Sequence, residues 1–177
     1  MPGATSPANG PVRPVPHGYG TVTPWIISRD TARMIDFTKD AFGAEELGRV
    51  AGPAGGIGHA EVRIGDSVVM MFDAREGWPE TPGFFRLYVE NADAVYQRAL
   101  DAGATEVTAM TTLFFGDRVG RVRDPLGNIW WIQTHVEDVD AEEMARRPHD
   151  PAAAEALRYV EETLAEALRG GQPGATR

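Results

Sequence analysis

The sequence predicts an α+β fold made of two tandem βαβββ modules, and three observations lead to this prediction. Segments with apolar residues at helical spacing alternate with strand-like runs. The helix stop at Gly43-Ala44-Glu45 recurs sixty positions later as Gly103-Ala104-Thr105. The strand-like run GDSVVMMFDA, which starts at Gly65, recurs sixty-two positions later as GNIWWIQTHV from Gly127. Two halves therefore follow one plan, as expected of an internal repeat.

The first module is predicted to occupy residues 21–74. Its opening run, TVTPWIIS, is typical of a strand, and Asp30 is suited to cap a helix that ends at Gly43. The apolar residues of this helix recur every three or four positions, which indicates one buried face. Further strands are expected at 44–51, 59–64 and 67–73, the last two joined by a tight turn at Gly65-Asp66.

The second module, at residues 83–138, repeats this order. FFRLYVE predicts a strand, Asn91 a helix cap and Gly103 the end of that helix. A linker marked by proline and glycine, REGWPETPG, joins the modules, so that residues 21–138 are expected to form one domain. The remaining strands are expected near 106–110, 118–123 and 128–135.

The two ends of the chain differ from the modules. Residues 1–20 and 171–177 are rich in glycine and proline and lack apolar periodicity, which predicts flexible tails. Residues 139–170 are predicted to form a C-terminal helical extension that starts with a capping-box signature at Asp140 and Glu143. This extension seals the core, packs on a partner subunit or covers a ligand cavity. Its longer helix carries an apolar stripe made of Leu157, Val160, Leu164 and Leu168.

Composition excludes several classes of function. The chain has 177 residues, enough for one domain with a substantial core, and a formal net charge of −9, which argues against nucleic-acid binding. It has no cysteine, so thiolate chemistry is excluded, and no apolar run approaches the roughly 20 residues that span a bilayer. Without a signal-like N-terminus, a cytoplasmic location is expected. Lys39 is the only lysine, and the remaining cations are arginines, which suit carboxylate or phosphate groups.

Three motifs give the chain a family resemblance. AFGAEE at 41–46, HAEVRIGDS at 59–67 and GDRVGRVRDPLGNIWWIQTHVEDV at 116–139 together resemble the glyoxalase/bleomycin-resistance/dioxygenase superfamily, also called vicinal oxygen chelate proteins, and most of all its PhnB-like branch. The resemblance covers residues 21–139. That branch usually has histidine after DPxG, where this chain has Asn128, and tryptophan at the position of Phe115.

The resemblance implies a shared small-molecule cavity that the two sheets border with the faces opposite their helices. Metal-dependent members place one metal ligand on the first and last strand of each module, and the matching residues here are Thr23, Met70, Phe84 and Trp131. Thioether and aromatic side chains do not replace the carboxylates and imidazoles that divalent metals require. No metal and no other cofactor is therefore expected at these positions.

Strand alternation extends this assignment, because residues two apart share a face. The cavity side is expected to hold Trp25, Phe72, Arg86, Tyr88, Gln133 and His135, together with His59, Glu61 and Arg63 of the third strand. The helix side is expected to hold Ile26, Val69, Met71, Leu87, Val89, Trp130 and Ile132. Aromatic side chains in the cavity suit a flat ligand, which polar groups would orient.

We interpret the chain as a metal-independent binding protein that sequesters a partly aromatic small molecule, as the antibiotic-binding members of the superfamily do. Arg118 either pairs with its neighbour Asp117 or reaches an anionic group of the ligand. Superfamily members commonly form two-fold dimers, so a homodimer is expected. The expected ligand-binding residues are Trp25, Phe72, Phe84, Arg86, Tyr88, Arg118, Trp131 and Gln133.

The alternative is a glyoxalase-like lyase or isomerase. His59 and Glu61, two apart on one strand, and His135 near the end of the last strand would be its catalytic residues. With Glu137 they contain the parts of a site with two histidines and one carboxylate, which a divalent metal could occupy. Without a metal, the pair His59 and Glu61 could act in general acid and base catalysis.

Overall fold

A computed structural model describes residues 12–53 and 55–170, and it confirms the two βαβββ modules. The first module consists of β1 (Trp25–Ser28), α1 (Thr31–Phe42), β2 (Glu45–Ala51), β3 (Ile57–Ile64) and β4 (Ser67–Asp73). The second consists of β5 (Phe84–Tyr88), α2 (Ala92–Asp101), β6 (Thr105–Thr112), β7 (Asp117–Arg123) and β8 (Ile129–His135). After these come α3 (Ala141–Arg146), a 3-10 turn (Arg147–His149) and α4 (Pro151–Gly170).

The two sheets have the same topology. Their strand orders are β1-β4-β3-β2 and β5-β8-β7-β6, with the first pair of each sheet parallel and the others antiparallel. In the first sheet Trp25 lies opposite Met70, and in the second Arg86 lies opposite Trp131. The sheets remain open rather than closing into one barrel, so each module presents a separate sheet face opposite its helix.

Both module helices begin and end where the sequence predicts. The Asp30 carboxylate accepts a hydrogen bond from the Arg33 amide at 3.0 Å, and the Asn91 side chain accepts one from the Ala94 amide at 3.0 Å. Gly43 ends α1 with a φ of 67°, a left-handed conformation that glycine adopts without strain. Local capping residues therefore set the start of both helices and the end of α1.

One apolar core unites the two modules. α1 contacts α2, and residues of both modules belong to a single buried cluster. Trp130 of β8 has no exposed surface and stacks on Phe85 at 4.5 Å between ring centres, while Phe42 of α1 lies 4.7 Å away. The modules are thus held together by their helix sides. The opposite faces of the two sheets are those that the sequence assigns to ligand binding.

The C-terminal extension packs on the second sheet. Val160 of α4 is only 2% exposed and lies with Leu113 and Val119 in a second apolar cluster. α4 thus covers part of the face that the sequence assigned to a ligand cavity, whereas Leu168, from the same stripe, remains exposed. No helix within residues 12–53 and 55–170 combines the length and apolarity needed to cross a membrane.

The segment before β1 contains no helix or strand from Val12 to Gly20. The first eleven residues of the predicted N-terminal tail, and all of the predicted tail at 171–177, lie outside the described residues. Tyr19 belongs to this segment and donates a hydrogen bond to the Glu61 carboxylate of β3. The described end of the predicted tail therefore contacts the first sheet.

Candidate functional site

The faces of the two sheets alternate as the sequence predicts. In β3, Ala60 and Val62 are fully buried on the helix side, while His59 and Glu61 are half-buried on the other. In β8, Trp130 is fully buried and its neighbour Trp131 lies on the opposite face. These opposite faces, one on each sheet, are the candidate ligand surfaces.

The face of the first sheet carries an aromatic cluster. The Trp25 and Phe72 rings meet edge to face with their centres 5.3 Å apart, and Trp78 meets Phe72 in the same way at 6.1 Å. Trp25 is 59% exposed, so it is available to a ligand. Trp78 comes from the linker between modules, where strand alternation gave no signal for it.

Glu61 is fixed by two neighbours on this face. His59 Nε2 lies 3.0 Å from Glu61 Oε1, and the Tyr19 hydroxyl donates to the other carboxylate oxygen. The hydrogen bond from Tyr19, followed by that from His59, lowers the pKa of Glu61, and the same contact raises the pKa of Tyr19. Glu61 is therefore held as a carboxylate, which makes it a good hydrogen-bond acceptor and a weak base.

On the second sheet, Asp117 is the centre of a polar group. Its buried carboxylate accepts a hydrogen bond from Gln133 Nε2 at 2.8 Å and lies 2.7 Å from His135 Nδ1. His135 Nε2 lies 3.0 Å from Asp138, and the Tyr88 hydroxyl is 3.5 Å from Asp117. The carboxylates of Asp117 and then Asp138 raise the pKa of His135. Gln133 and Tyr88, two predicted ligand residues, are thus joined to His135.

Arg118 was expected to pair with Asp117 or to reach a ligand, and the structure shows a different partner, Asp93. Its Nε and Nη2 atoms donate to the two carboxylate oxygens of Asp93, each at 2.6 Å. This two-pronged pair lowers the pKa of Asp93. Arg118 points outward from β7 towards the first turn of α2, so its guanidinium is engaged away from the ligand face.

The residues of the catalytic alternative are divided between the two sheets. His59 and Glu61 lie on the first sheet, whereas His135 lies on the second with Asp117. Glu137, the proposed additional carboxylate, pairs instead with Arg147, whose Nη1 lies 2.7 Å from Glu137 Oε2. The residues are separated because β3, which carries His59 and Glu61, and β8, which carries His135, belong to different sheets.

A divalent metal does not fit the positions that the family fold implies for it. Met70 lies opposite Trp25 on neighbouring strands, and Trp131 lies opposite Arg86. Thr23 precedes β1 and Phe84 begins β5, so these four positions offer one hydroxyl, one thioether and two aromatic rings. In the part of the chain that the structure describes, no group of three histidine, aspartate or glutamate side chains could hold a metal.

The helix α4 adds polar contacts to the second face. The Tyr159 hydroxyl accepts a hydrogen bond from the Ala109 amide at 3.0 Å, and the hydroxyls of Thr108 and Thr163 lie 2.7 Å apart. Arg121 Nη1 donates to the Val160 carbonyl at 2.6 Å. Arg121 was not among the predicted ligand residues, although its place two residues from Val119 and Arg123 in β7 puts it on the ligand face.

A cavity of about 760 Å³ lies beside β5, at the boundary between the modules. Phe84, Arg86 and Tyr88 line it together with Pro24 and Val69 of the first module. Three predicted ligand residues therefore border open space of a size that suits a small organic molecule.

Comparisons with known proteins agree with this architecture. The profile of the glyoxalase/bleomycin resistance protein/dioxygenase superfamily matches residues 19–132. The chain is 40% identical over 134 residues to an uncharacterized protein of Mycobacterium tuberculosis, across 70% of this chain and 79% of that protein. TioX from Micromonospora sp. ML1 is similar in structure, with a TM-score of 0.56 and 25% identity over 66% of this chain and 100% of TioX. A PhnB protein from Bacillus cereus has a TM-score of 0.50 and 16% identity, over 67% of this chain and 100% of that protein.

Proposed function

Because the chain belongs to the glyoxalase/bleomycin resistance protein/dioxygenase superfamily, we propose that it is a metal-independent binding protein for a small, partly aromatic molecule. The proposal follows the binding branch of this superfamily rather than its metal enzymes. The ligand is held against the sheet faces opposite the helices. Sequestration of a toxic compound, such as an antibiotic, is the role that this activity would serve.

Exposed aromatic side chains on those faces carry the proposal. Trp25 of β1 and Phe84 of β5 are each 59% exposed, and Tyr88 is exposed as well. Large aromatic groups are costly to leave in water when they cluster on one face, and such surfaces commonly mark ligand or protein contacts. All three belong to the ligand faces that strand alternation predicts.

The polar groups of these faces favour binding over chemistry. Glu61 is held as a carboxylate by Tyr19 and His59, and His135 is engaged by Asp117 and Asp138. The lyase or isomerase alternative needs His59, Glu61 and His135 together, whereas His59 and Glu61 lie on the first sheet and His135 on the second. They are placed to accept or donate hydrogen bonds to a ligand that stacks on the aromatic rings.

A second copy of the chain is part of the proposal. Each chain leaves Trp25, Phe84 and Tyr88 of its two open faces exposed, and a second copy placed over these faces would enclose a ligand. The α4 stripe that was expected to serve a dimer is instead partly used within the chain, since Val160 is buried on β7. We therefore propose a homodimer in which the exposed faces, rather than the α4 stripe, meet around the ligand.

Titration of intrinsic fluorescence tests the proposal. A panel of planar aromatic compounds is added to protein purified with and without chelator, and at least one compound is expected to quench tryptophan emission equally in both preparations. Trp25→Ala and Phe84→Ala should weaken its binding about tenfold, because each removes stacking and apolar contact. Met144→Ala, a change at an exposed apolar residue of α3, is the control and should leave affinity unchanged.

Two results contradict the proposal. One is binding that disappears on chelation and returns with a divalent metal. The other is turnover of a bound compound that requires His59 or His135, since the proposal assigns no reaction to either residue.

A further inference from the structure

A row of three side chains crosses the ligand face of the second sheet. Trp131 of β8 lies opposite Arg86 of β5 on one side and opposite Arg121 of β7 on the other. Residues opposite one another on neighbouring strands point to the same face. The guanidinium carbons of Arg86 and Arg121 lie 4.2 and 3.8 Å from the centre of the Trp131 ring. The indole is therefore flanked by two cations.

Among the described residues, neither arginine has a carboxylate as an ion-pair partner. Arg121 is only 3% exposed, and in residues 12–53 and 55–170 its Nη1 atom donates only to neutral acceptors, the Thr108 hydroxyl at 3.2 Å and the Val160 carbonyl at 2.6 Å. Burial, followed by the charge of Arg86, lowers the pKa of Arg121 to about 10. A buried cation without an opposite charge is costly. An anion at this position would offset that cost.

Two buried hydrogen-bond donors here have no acceptor among the described residues, Arg121 Nε and Trp131 Nε1. Such donors are rare in native proteins, where buried polar groups are nearly always paired. Both residues line a cavity of about 170 Å³ that Phe84 and Leu164 of α4 also border. This volume accepts a carboxylate or phosphate group with a few attached atoms, since one water takes about 30 Å³ in the liquid.

We propose that Arg86, Arg121 and Trp131 form a subsite for the anionic group of the ligand, a carboxylate or a phosphate-type oxyanion. The subsite rests on the proposed function, and it adds a charge requirement to the aromatic one. The guanidiniums supply charged donors in a planar fork and the indole N–H supplies another. The rest of the ligand extends past Phe84, which borders the cavity and is exposed.

A purely structural role predicts a different pattern. If Arg121 only anchors α4 through the Val160 carbonyl, Arg86 should have no effect on binding. Arg86 is exposed and rests on the Trp131 ring, so its replacement should leave the fold intact. Arg86→Gln is therefore the informative variant, and Arg121→Lys is a second variant that keeps the charge but removes the planar fork.

The experiment measures binding of inorganic phosphate and of benzoate to the full chain by isothermal titration calorimetry in low-chloride buffer. Both Arg86→Gln and Arg121→Lys are expected to weaken binding of at least one anion about tenfold or more, which is the effect of losing one charge-assisted hydrogen bond. Arg75→Gln is the matched control. Arg75 is also an exposed arginine beside a tryptophan, 5.5 Å from the Trp78 ring centre, and its loss changes the net charge equally.

The outcomes separate the subsite from the proposed function. No binding of either anion, or equal weakening by Arg75→Gln and Arg86→Gln, overturns the subsite. If the anions fail while neutral 2-naphthol still binds through Trp25 and Phe84, the subsite is wrong and the proposed function stands. If phosphate binds through Arg86 while neither benzoate nor 2-naphthol binds, the subsite stands and the proposed function fails.

Discussion

At the scale of single residues, neighbouring tryptophans in β8 have opposite surroundings. Trp130 is enclosed by Phe42 and Phe85, and its Nε1 donates to the buried Asp124 carboxylate at 2.8 Å. Asn128 Nδ2 donates to the same carboxylate at 2.8 Å, so the residue that replaces the histidine of the PhnB-like branch belongs to the core here. Trp131 instead lies between two guanidiniums on the ligand face.

We predict that Trp130→Ala lowers the free energy of unfolding by about 3–5 kcal/mol, the usual effect of emptying a buried aromatic site. Trp25→Ala should lower it by less than about 1 kcal/mol, because Trp25 is mostly exposed. Chemical denaturation followed by circular dichroism measures both values. Similar losses for the two variants would show that the assigned faces of the strands are wrong.

His135 makes stability depend on pH. Asp117 and Asp138 raise its folded pKa above the ordinary value of 6.5, so its contribution is fully present below that value and is lost as pH rises through the folded pKa. The stability difference between wild type and His135→Gln should therefore be larger at about pH 5.5 than at about pH 8.5. Denaturation at both pH values measures it. When Asp138→Asn is also present, the change with pH in the stabilising effect of His135 should be smaller. An unchanged pH dependence would contradict the role of Asp138.

Strand alternation predicts the sheet face of the candidate site residues but not their partners. Alternation along a strand determines which face Trp131 or Glu61 occupies, because it depends on local geometry alone. The partners come from distant segments. Tyr19 donates a hydrogen bond to Glu61, and Arg118 pairs with Asp93 instead of with its neighbour Asp117. Such pairings depend on how helices and end segments pack, which strand periodicity does not contain.

At the scale of elements, α4 is the main departure from the repeat. Its apolar stripe correctly predicted a helix. Periodicity alone does not determine whether that helix packs on the core, on a partner subunit or over a ligand cavity. The choice rests on individual contacts with β6 and β7, such as the Tyr159 hydroxyl on the Ala109 amide and the Thr163 hydroxyl on Thr108. The module helices were easier to place, because their capping residues, Asp30 and Asn91, are local signals.

We predict that Tyr159→Phe lowers the free energy of unfolding by about 1 kcal/mol, because the Ala109 amide loses its acceptor. The change should also loosen α4 and make Trp131 more accessible to acrylamide, which fluorescence quenching measures. Tyr88→Phe is the control: Tyr88 is exposed on the same sheet, and its hydroxyl lies 3.5 Å from Asp117. Equal effects of the two changes would exclude a specific role for the Tyr159 hydroxyl.

At the scale of the whole molecule, the repeat made the architecture predictable. The offsets between Gly43 and Gly103 and between Gly65 and Gly127 indicated two equal modules, and both sheets have the same strand order. The relation between the modules was not contained in the repeat. Their helix sides share one core, which leaves the two ligand faces apart.

The proposed homodimer gives a prediction at the same scale. Sedimentation at micromolar concentration should show a species of twice the 19.2 kDa of the chain. A charge placed on the exposed face, as in Phe84→Asp, should shift the equilibrium towards the monomer, because a buried carboxylate without a partner is costly. Leu168→Asp, at the exposed end of the α4 stripe, should leave it unchanged. A species of 19.2 kDa at all concentrations would rule out the dimer.

The segments outside the repeat make the two ligand faces different. A repeated βαβββ unit gives two halves of the same plan, so a segment outside the repeat can distinguish one half from the other. Here Tyr19 and α4 both lie outside the repeated unit, and each contacts the face of only one sheet. The two faces therefore have different surroundings although they belong to equivalent sheets. The arginine-flanked face and the aromatic face can thus differ in what they bind while both rest on one shared core.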